Sequence, residues 1–302
     1  MTTINESFAE ETPPPAPNRL VDAFALLWAN KLALVGSILA VMFLLIGVSG
    51  LIIWQVPGLQ HLYIDQNLRE TLHDPFTAGH LLGTDNLGRD VAWRLIAGIG
   101  VSLYVGFAVT VISVVIGMAL GTVAGYFGGW TDTAISGLID LTWGFPVILV
   151  AVIFAGALDP GLTAVITAVS LVTWAGFARV IRAEVLSLRE REFVEAARAL
   201  GVSNGMIIWR HMIPNVRGTT LVMASWFVAV TIIAEAGLSF IGLGAQVPTP
   251  SLGQLISDGR GFFSVTPWIA VIPGFTIALV VLGLNALGDG LRDIFDPRLK
   301  RW

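Results

Sequence analysis

Residues 95–131 read LIAGIGVSLYVGFAVTVISVVIGMALGTVAGYFGGWT and contain no charged residue. A membrane-spanning helix needs about 20 apolar residues to cross roughly 30 Å of hydrocarbon. This stretch therefore predicts one span, followed by a turn at residues 128–129. Within it, Gly117, Gly121 and Gly125 put a small residue at every fourth position on one helix face. That stripe indicates either tight packing against another helix or a helix contact that moves.

Five further segments are long and apolar enough to be spans. They cover residues 32–54, 133–158, 162–178, 219–243 and 267–288. The composition agrees, because 55% of the residues are hydrophobic and only 13% are charged, against roughly 25% charged in soluble domains. The predicted fold class is an all-α integral membrane protein with six transmembrane helices.

The rest of the chain divides around these spans. Residues 1–18 are acidic and proline-rich, which is typical of a disordered tail. Residues 19–97 are expected to begin with either a membrane-surface helix or an extension of the first span, over residues 19–31. The first span and an outer loop follow within the same range. Residues 98–290 form the predicted transmembrane domain, and 291–302 form a C-terminal tail.

The distribution of basic residues predicts the orientation. With the N-terminus inside, thirteen of the seventeen Lys and Arg residues lie on the inner side and four lie outside, as the positive-inside rule requires. Both termini are therefore expected in the cytoplasm, and residues 179–218 form a cytoplasmic loop. The net charge of −4 is small and argues against a nucleic-acid partner.

Within this loop, residues 189–202 read REREFVEAARALGV and predict a short amphipathic helix. One face carries four apolar residues: Phe193, Ala196, Ala197 and Leu200. Gly201 is expected to end this helix, and Pro214 to stop the next one before span five. The apolar face must dock either on another protein or on its own chain, and the pattern leaves both open.

Two acidic residues and one proline lie within predicted spans. Asp140 either lines a transport pathway or pairs with an arginine near the inner interface, and Pro146 is expected to kink the same span. Glu235 is expected to face a pore or a neighbouring helix rather than lipid, because a charge in hydrocarbon is costly.

Several kinds of chemistry have no support in the sequence. There is no Gly-x-x-x-x-Gly-Lys-Ser/Thr run, so ATP hydrolysis is not expected on this chain, and no catalytic residue is predicted. There is no cysteine. His61 and His73 share the outer loop with Asp65 and Asp74, but ordinary solvated loop side chains explain them better than a metal site does.

Four stretches resemble motifs of ABC importer permeases, and specifically the C-type transmembrane subunits of dipeptide, oligopeptide and nickel importers. Residues 195–215 are similar to the family's EAA motif, with Glu195-Ala196-Ala197, then Gly201, His211 and Ile213-Pro214-Asn215. Residues 80–94 resemble the signature before span two, which holds the outer-side residues Gly83, Thr84, Asp85, Gly88, Arg89 and Asp90. Residues 235–250 and 288–298 resemble the end of span five and the C-terminal tail.

This resemblance implies a type I ABC importer permease fold in the bacterial cytoplasmic (inner) membrane, with a cytoplasmic coupling helix that seats in an ATPase groove. The residues it assigns to coupling are Arg191, Glu195, Ala196, Ala197, Gly201, His211 and Pro214. The implied partners, besides the lipid bilayer, are a homologous B-type permease subunit, two ATP-binding-cassette subunits and an extracytoplasmic substrate-binding protein.

The same resemblance implies a cargo and places the cofactors elsewhere. Peptides are the expected cargo, with nickel or another small molecule as the alternative and a stand-alone secondary transporter as the rival function. ATP and Mg²⁺ belong to the partner subunits, and no metal or cofactor is expected on this chain. One departure is Leu252-Gly253, where the family often has Trp-Gly.

Overall fold

The computed structural model describes residues 31–77 and 79–295, and in this part the regular secondary structure is helical, without a named strand. The all-α class is confirmed. The predictions for the tail 1–18, for the surface helix up to residue 30 and for the tail beyond residue 295 lie outside the described residues.

The helices follow the chain in this order: α1 (Lys31–Gln55), α2 (His61–Ile64), α3 (Val91–Phe127), α4 (Gly129–Trp143), α5 (Val147–Leu158), α6 (Leu162–Leu188), α7 (Glu192–Ala199), α8 (Asn204–Ile207), α9 (Ile213–Phe240), α10 (Leu252–Arg260) and α11 (Trp268–Phe295). A 3₁₀ turn (Pro57–Leu59) precedes α2, and a π-helical turn (Ile208–Met212) joins α8 to α9.

Five spans are continuous and the sixth is broken. The described helices long and apolar enough to cross a membrane are α1, α3, α6, the run Asn204–Phe240 and α11. Helices α4 and α5 make a further span only as a pair, bent by 84° between Trp143 and Val147. Pro146 lies in this break, which agrees with the predicted kink: the residue before a proline is disfavoured in helical geometry.

The helix of span four continues beyond the predicted span. The apolar run was expected to stop at Arg179, and α6 continues to Leu188. Two of its arginines have acidic partners on α4: Arg179 pairs with Asp140 and Arg182 pairs with Asp132. The first part of residues 179–218, predicted as a cytoplasmic loop, is therefore a helical extension of α6.

The prediction that Pro214 stops a helix is wrong. Helices α8 and α9 run into each other through the π-helical turn, and Pro214 lies in the first turn of α9. Proline has no N–H to donate to the preceding turn. The turn adjusts by widening, since the Ile213 N–H donates to the Ile208 carbonyl, a bond of the π type.

The glycine stripe of α3 packs tightly against α6. A Cβ atom added to Gly117 would lie 2.5 Å from the Cβ of Phe177, and one added to Gly121 would lie 2.6 Å from the carbonyl oxygen of Ala178. Real Cβ atoms do not approach other atoms so closely, so only glycine allows this approach of the two backbones. The two helices therefore form a close-packed pair at the centre of the fold.

Candidate coupling surface and outer-side network

Helix α7 begins at an extended residue and carries charges that suit its ends. Arg191 is the N-cap, with φ −81° and ψ 144°. Glu192 and Glu195 lie in the first turn and Arg198 in the last. Acidic residues near a helix N-terminus and basic residues near its C-terminus are favoured by the helix dipole. These local charges explain why so short a segment is helical.

Gly201 ends α7 in the way the sequence predicted. Its φ is +77°, a left-handed conformation that glycine adopts without the steric cost of a Cβ. The Gly201 N–H donates to the Arg198 carbonyl at 3.0 Å, and the Val202 N–H donates to the Ala197 carbonyl at 3.1 Å. These two bonds form a Schellman motif, which satisfies carbonyl groups that the helix end would otherwise leave open.

The apolar face of α7 is divided, which corrects the predicted arrangement. Val194 and Ala197 are buried at 0% and 7% exposure. The other apolar residues remain outside: Phe193 is 43% exposed and Leu200 is 83% exposed, with Ala196 also exposed. We call Phe193, Ala196 and Leu200 the exposed ridge. One side of α7 therefore packs on its own chain while another side is left open.

The buried side of α7 packs into a cluster beneath the membrane end of the bundle. Its members from α3, α6 and α9 include Tyr126, Ile181, Val185 and Val216. The Arg198 guanidinium lies 5.1 Å from the centre of the Tyr126 ring. The Tyr126 hydroxyl donates to Asn204 Oδ1 at 2.9 Å, which ties α3 to the start of α8. Helix α7 is thus held on the spans themselves.

His211 and Pro214 lie beside the same surface. The His211 and Phe193 rings are 5.9 Å apart, so the π-helical turn borders the exposed ridge. Asn215 Nδ2 donates to the His211 carbonyl at 2.6 Å. Trp209, at 72% exposure, extends the apolar surface. The predicted coupling residues are therefore gathered in one region.

On the opposite side, residues 83–90 form a compact turn before α3. Gly83 and Gly88 have φ values of +76° and +71°. Asp85 Oδ1 accepts from the backbone N–H groups of Leu87 and Arg89 at 2.9 and 3.0 Å. Asp90 is the N-cap of α3 and accepts from the N–H groups of Ala92 and Trp93, so the motif shapes the entry into span two.

A buried ion network connects this turn to α10. Arg89 Nε and Arg94 Nη1 donate to Asp85 Oδ2 at 2.7 and 2.6 Å, and Arg94 Nη2 donates to Asp258 Oδ2 at 2.9 Å. Thr84, Asp85, Arg89 and Arg94 are all at least 95% buried. Such charges are stable only when they are paired and hydrogen-bonded, and here two cations face two carboxylates.

His80 lies at the edge of this network. Its Nδ1 is 2.7 Å from Asp90 Oδ2, and its Nε2 is 3.5 Å from Glu70 Oε2. The hydrogen bond with Asp90, helped by the Glu70 carboxylate and opposed by partial burial, raises the pKa of His80 above its usual value. The protonated form of His80 therefore favours the observed loop structure.

The intramembrane acids have different surroundings. Asp140 is exposed and pairs with Arg179, whose guanidinium lies 4.2 Å from the Trp143 ring centre. Glu235 is completely buried and accepts hydrogen bonds from Ser102 and Ser239 at 2.7 and 2.6 Å. Asp140 has an arginine partner and Glu235 has a partner on a neighbouring helix. Their assignment to a transport pathway stays a prediction.

Residues 113–301 match the family described as the binding-protein-dependent transport system inner membrane component. The chain belongs to this family. It is a multi-pass inner-membrane permease subunit of ABC importers.

Two relatives and one solved structure place this permease more closely. It is 41% identical over 279 residues to the dipeptide transport system permease protein DppC of Alkalihalophilus pseudofirmus, covering 92% of this chain and 90% of that protein. It is 34% identical over 280 residues to the oligopeptide transport system permease protein OppC of Bacillus subtilis, covering 93% and 90%. The inward-facing MetNI methionine ABC transporter matches with a TM-score of 0.55 and 19% identity, over 68% of this chain and 98% of that chain. That last likeness shows the fold alone.

The structure of the permease adds residues that the sequence did not single out as a site. Asp258 completes the ion network with Arg94, and Ser102 and Ser239 hold Glu235. Arg94 follows the outer-side motif closely enough to be suspected from sequence. Ser239 lies one helical turn after Glu235 on α9, so its spacing could have suggested the contact. Asp258 and Ser102 become recognisable only when distant helices are brought together. Asp140 and Glu235, grouped in the sequence as pathway candidates, share no partner in the described residues.

Proposed function

We propose that this permease subunit carries peptides across the inner membrane, coupled to ATP hydrolysis on separate subunits. The observation that carries the proposal is the exposed ridge of α7, which is open on one side, while Val194 and Ala197 on the other side are buried in the cluster with residues of the spans. A helix built in this way can receive force from a partner and pass it to the bundle. The similarity to dipeptide and oligopeptide permeases supports peptides as the cargo.

The coupling partner in this proposal is a pair of ATP-binding-cassette subunits, which bind ATP and Mg²⁺, and no cofactor is expected on this chain. ATP can shift the transporter between inward- and outward-facing states only by favouring one of them. Because only residues 200–203 separate α7 from the helical run Asn204–Phe240, which includes α8, the π-helical turn and α9, a displacement of α7 is passed to span five. Arg191 and Glu195, both exposed, flank the ridge and supply polar contacts.

The remaining partners are those that the family resemblance implies. A homologous B-type permease subunit completes the pathway, and a substrate-binding protein docks on the outer loops. The excess of Lys and Arg on the side of α7 supports cytoplasmic termini. Lipid is expected against α1, which exposes Ile38 and Leu45 at 59% and 66%.

Purification of the chain from its native membrane in mild detergent tests this function. We expect it to come with a second permease, two ATPase subunits and a binding protein, and the ligand of that binding protein identifies the cargo. A bound peptide supports the proposal, whereas a bound nickel chelate would show that the cargo is the alternative one, nickel. A homo-oligomer that moves substrate by itself would favour a secondary transporter instead.

A further inference from the structure

Glu235 is a buried carboxylate that the coupling surface does not use. It lies near the outer end of α9 and is 0% exposed. The Ser239 hydroxyl donates to its Oε1 at 2.6 Å and the Ser102 hydroxyl to its Oε2 at 2.7 Å. A polar group removed from water is costly unless it is hydrogen-bonded. Here both carboxylate oxygens have a donor, one from α9 itself and one from α3.

The two serines also bind the backbone of the second outer loop and so connect Glu235 to it. Ser102 Oγ accepts from the backbone N–H of Leu252, the first residue of α10, at 3.3 Å. Ser239 Oγ accepts from the backbone N–H of Ala245, in the segment between α9 and α10, at 3.1 Å. The carboxylate therefore lies at the centre of a hydrogen-bonded group that joins α3, α9 and the chain leading into α10.

Helix α10 is also fitted closely against its neighbours. Gly253 packs directly on the backbone of Ala236, where a Cβ atom has no space. Ser257 Oγ donates to the Phe240 carbonyl at 2.9 Å. At its far end, Asp258 pairs with Arg94 of α3. Helix α10 is thus attached along its length to the outer ends of spans two and five.

The inner end of the same span bears the coupling surface. The run Asn204–Phe240 is a 37-residue helical path, about 55 Å long at 1.5 Å per residue. It starts a few residues after α7 and ends a few residues after Glu235. A tilt imposed at one end of this helix therefore displaces its other end. The displacement moves α10 as well only if α10 is fixed to the helix.

We propose that Glu235 is a positioning residue that fixes α10 to span five, so that contact with the binding protein outside and with the ATPase inside act on one rigid unit. This inference rests on the proposed function. Its specific content is that the carboxylate and its two serines carry the outside signal to α7. Loss of the carboxylate should uncouple the two sides while leaving each side able to bind its partner.

The test uses the complete importer reconstituted in lipid nanodiscs, with the binding protein added at increasing concentration. ATP hydrolysis is measured for wild type, Glu235→Ala, Glu235→Gln and Thr231→Val. Thr231 is the matched control, because it lies one turn away on α9 and is equally buried, and its hydroxyl has no hydrogen-bond partner among the described residues.

We expect Glu235→Ala to assemble and to keep its basal hydrolysis within about twofold, while stimulation by the binding protein falls about tenfold, the size of an ordinary coupling between sites. Glu235→Gln should recover most of the stimulation, because its amide can accept from one serine and donate to the other. Thr231→Val should match wild type.

Wild-type stimulation in Glu235→Ala would overturn the proposal, and so would an equal loss in Thr231→Val. If Glu235→Ala does not assemble, Ser102→Ala decides, since it removes one hydroxyl and the link to Leu252; normal stimulation in that variant overturns the proposal. A wild-type importer whose hydrolysis ignores the binding protein would instead contradict the proposed function itself.

Discussion

The two polar regions of this permease, α7 and the ion network, lie at opposite ends of α3 and are built in opposite ways. Helix α7 is formed by local signals and leaves Leu200 83% exposed. The outer network is buried and joins Arg94 to Asp258, which are 164 residues apart in the chain. The first arrangement suits a surface that binds and releases a partner. The second suits a joint that keeps two loops in fixed positions.

The largest effect on stability is expected from breaking the outer network. Arg94→Met leaves Asp85 and Asp258 without one of their cations in a buried site, and breaking a buried pair costs about 3–5 kcal/mol. Thermal unfolding of the detergent-purified protein should show a clearly lower Tm. Arg69→Met, at an exposed position in the same outer loop, is the control and should change stability by less than about 0.5 kcal/mol. Equal melting of the two variants would show that the network is not a structural joint.

A smaller and local effect is expected at the end of α7. Gly201→Val places a Cβ at φ +77°, which costs about 1–2 kcal/mol. Amide hydrogen exchange measured by mass spectrometry should become about tenfold faster in α7 and stay unchanged in α3. Gly205→Ala is the matched control, because Gly205 lies in α8 with open space around it. Alanine favours helix more than glycine does, so this variant should leave hydrogen exchange unchanged or make it slower. Unchanged exchange in Gly201→Val would contradict the cap.

The smallest effect on stability is expected from His80. The pKa of His80 is raised in the folded protein. Its contribution to the stability of the loop is therefore fully present below the unfolded pKa of about 6.5, and it is lost as the pH rises through the folded pKa. Hydrogen exchange of residues 70–90 should accelerate as the pH rises from about 6.5 through the raised pKa of the folded state, after correction for intrinsic rates. His80→Gln should remove that additional pH dependence. The same pH dependence in the variant would assign it to another group.

The two regions also differ in how much the sequence reveals. Helix α7, its glycine end and its exposed location follow from residues within one short stretch, so local pattern was sufficient. The division of its apolar face was missed because the supporting cluster, around Tyr126 and Val216, is formed by residues far from α7 in the sequence. Ser102 and Asp258 were missed as site residues for the same reason.

The errors in the helix boundaries have different causes. The helix of span four continues past Arg179 because arginine is itself a good helix former, so the end of an apolar run does not mark the end of a helix. Pro214 is accommodated by the widened turn just before it, a local backbone adjustment that residue preferences alone do not predict. The five continuous spans and their order were predictable, because long apolar runs are specified by composition alone.

The central claim is that the exposed ridge of α7 binds the ATPase. Leu200→Glu tests it most directly, with Leu81→Glu as the control, because Leu81 is a similarly exposed leucine on the outer side at 61%. The measurement is the affinity of purified ATPase subunits for the permease in nanodiscs. We predict that Leu200→Glu keeps the wild-type Tm but weakens binding at least about tenfold, or 1.4 kcal/mol, whereas Leu81→Glu binds normally. Normal ATPase binding to Leu200→Glu would contradict the account.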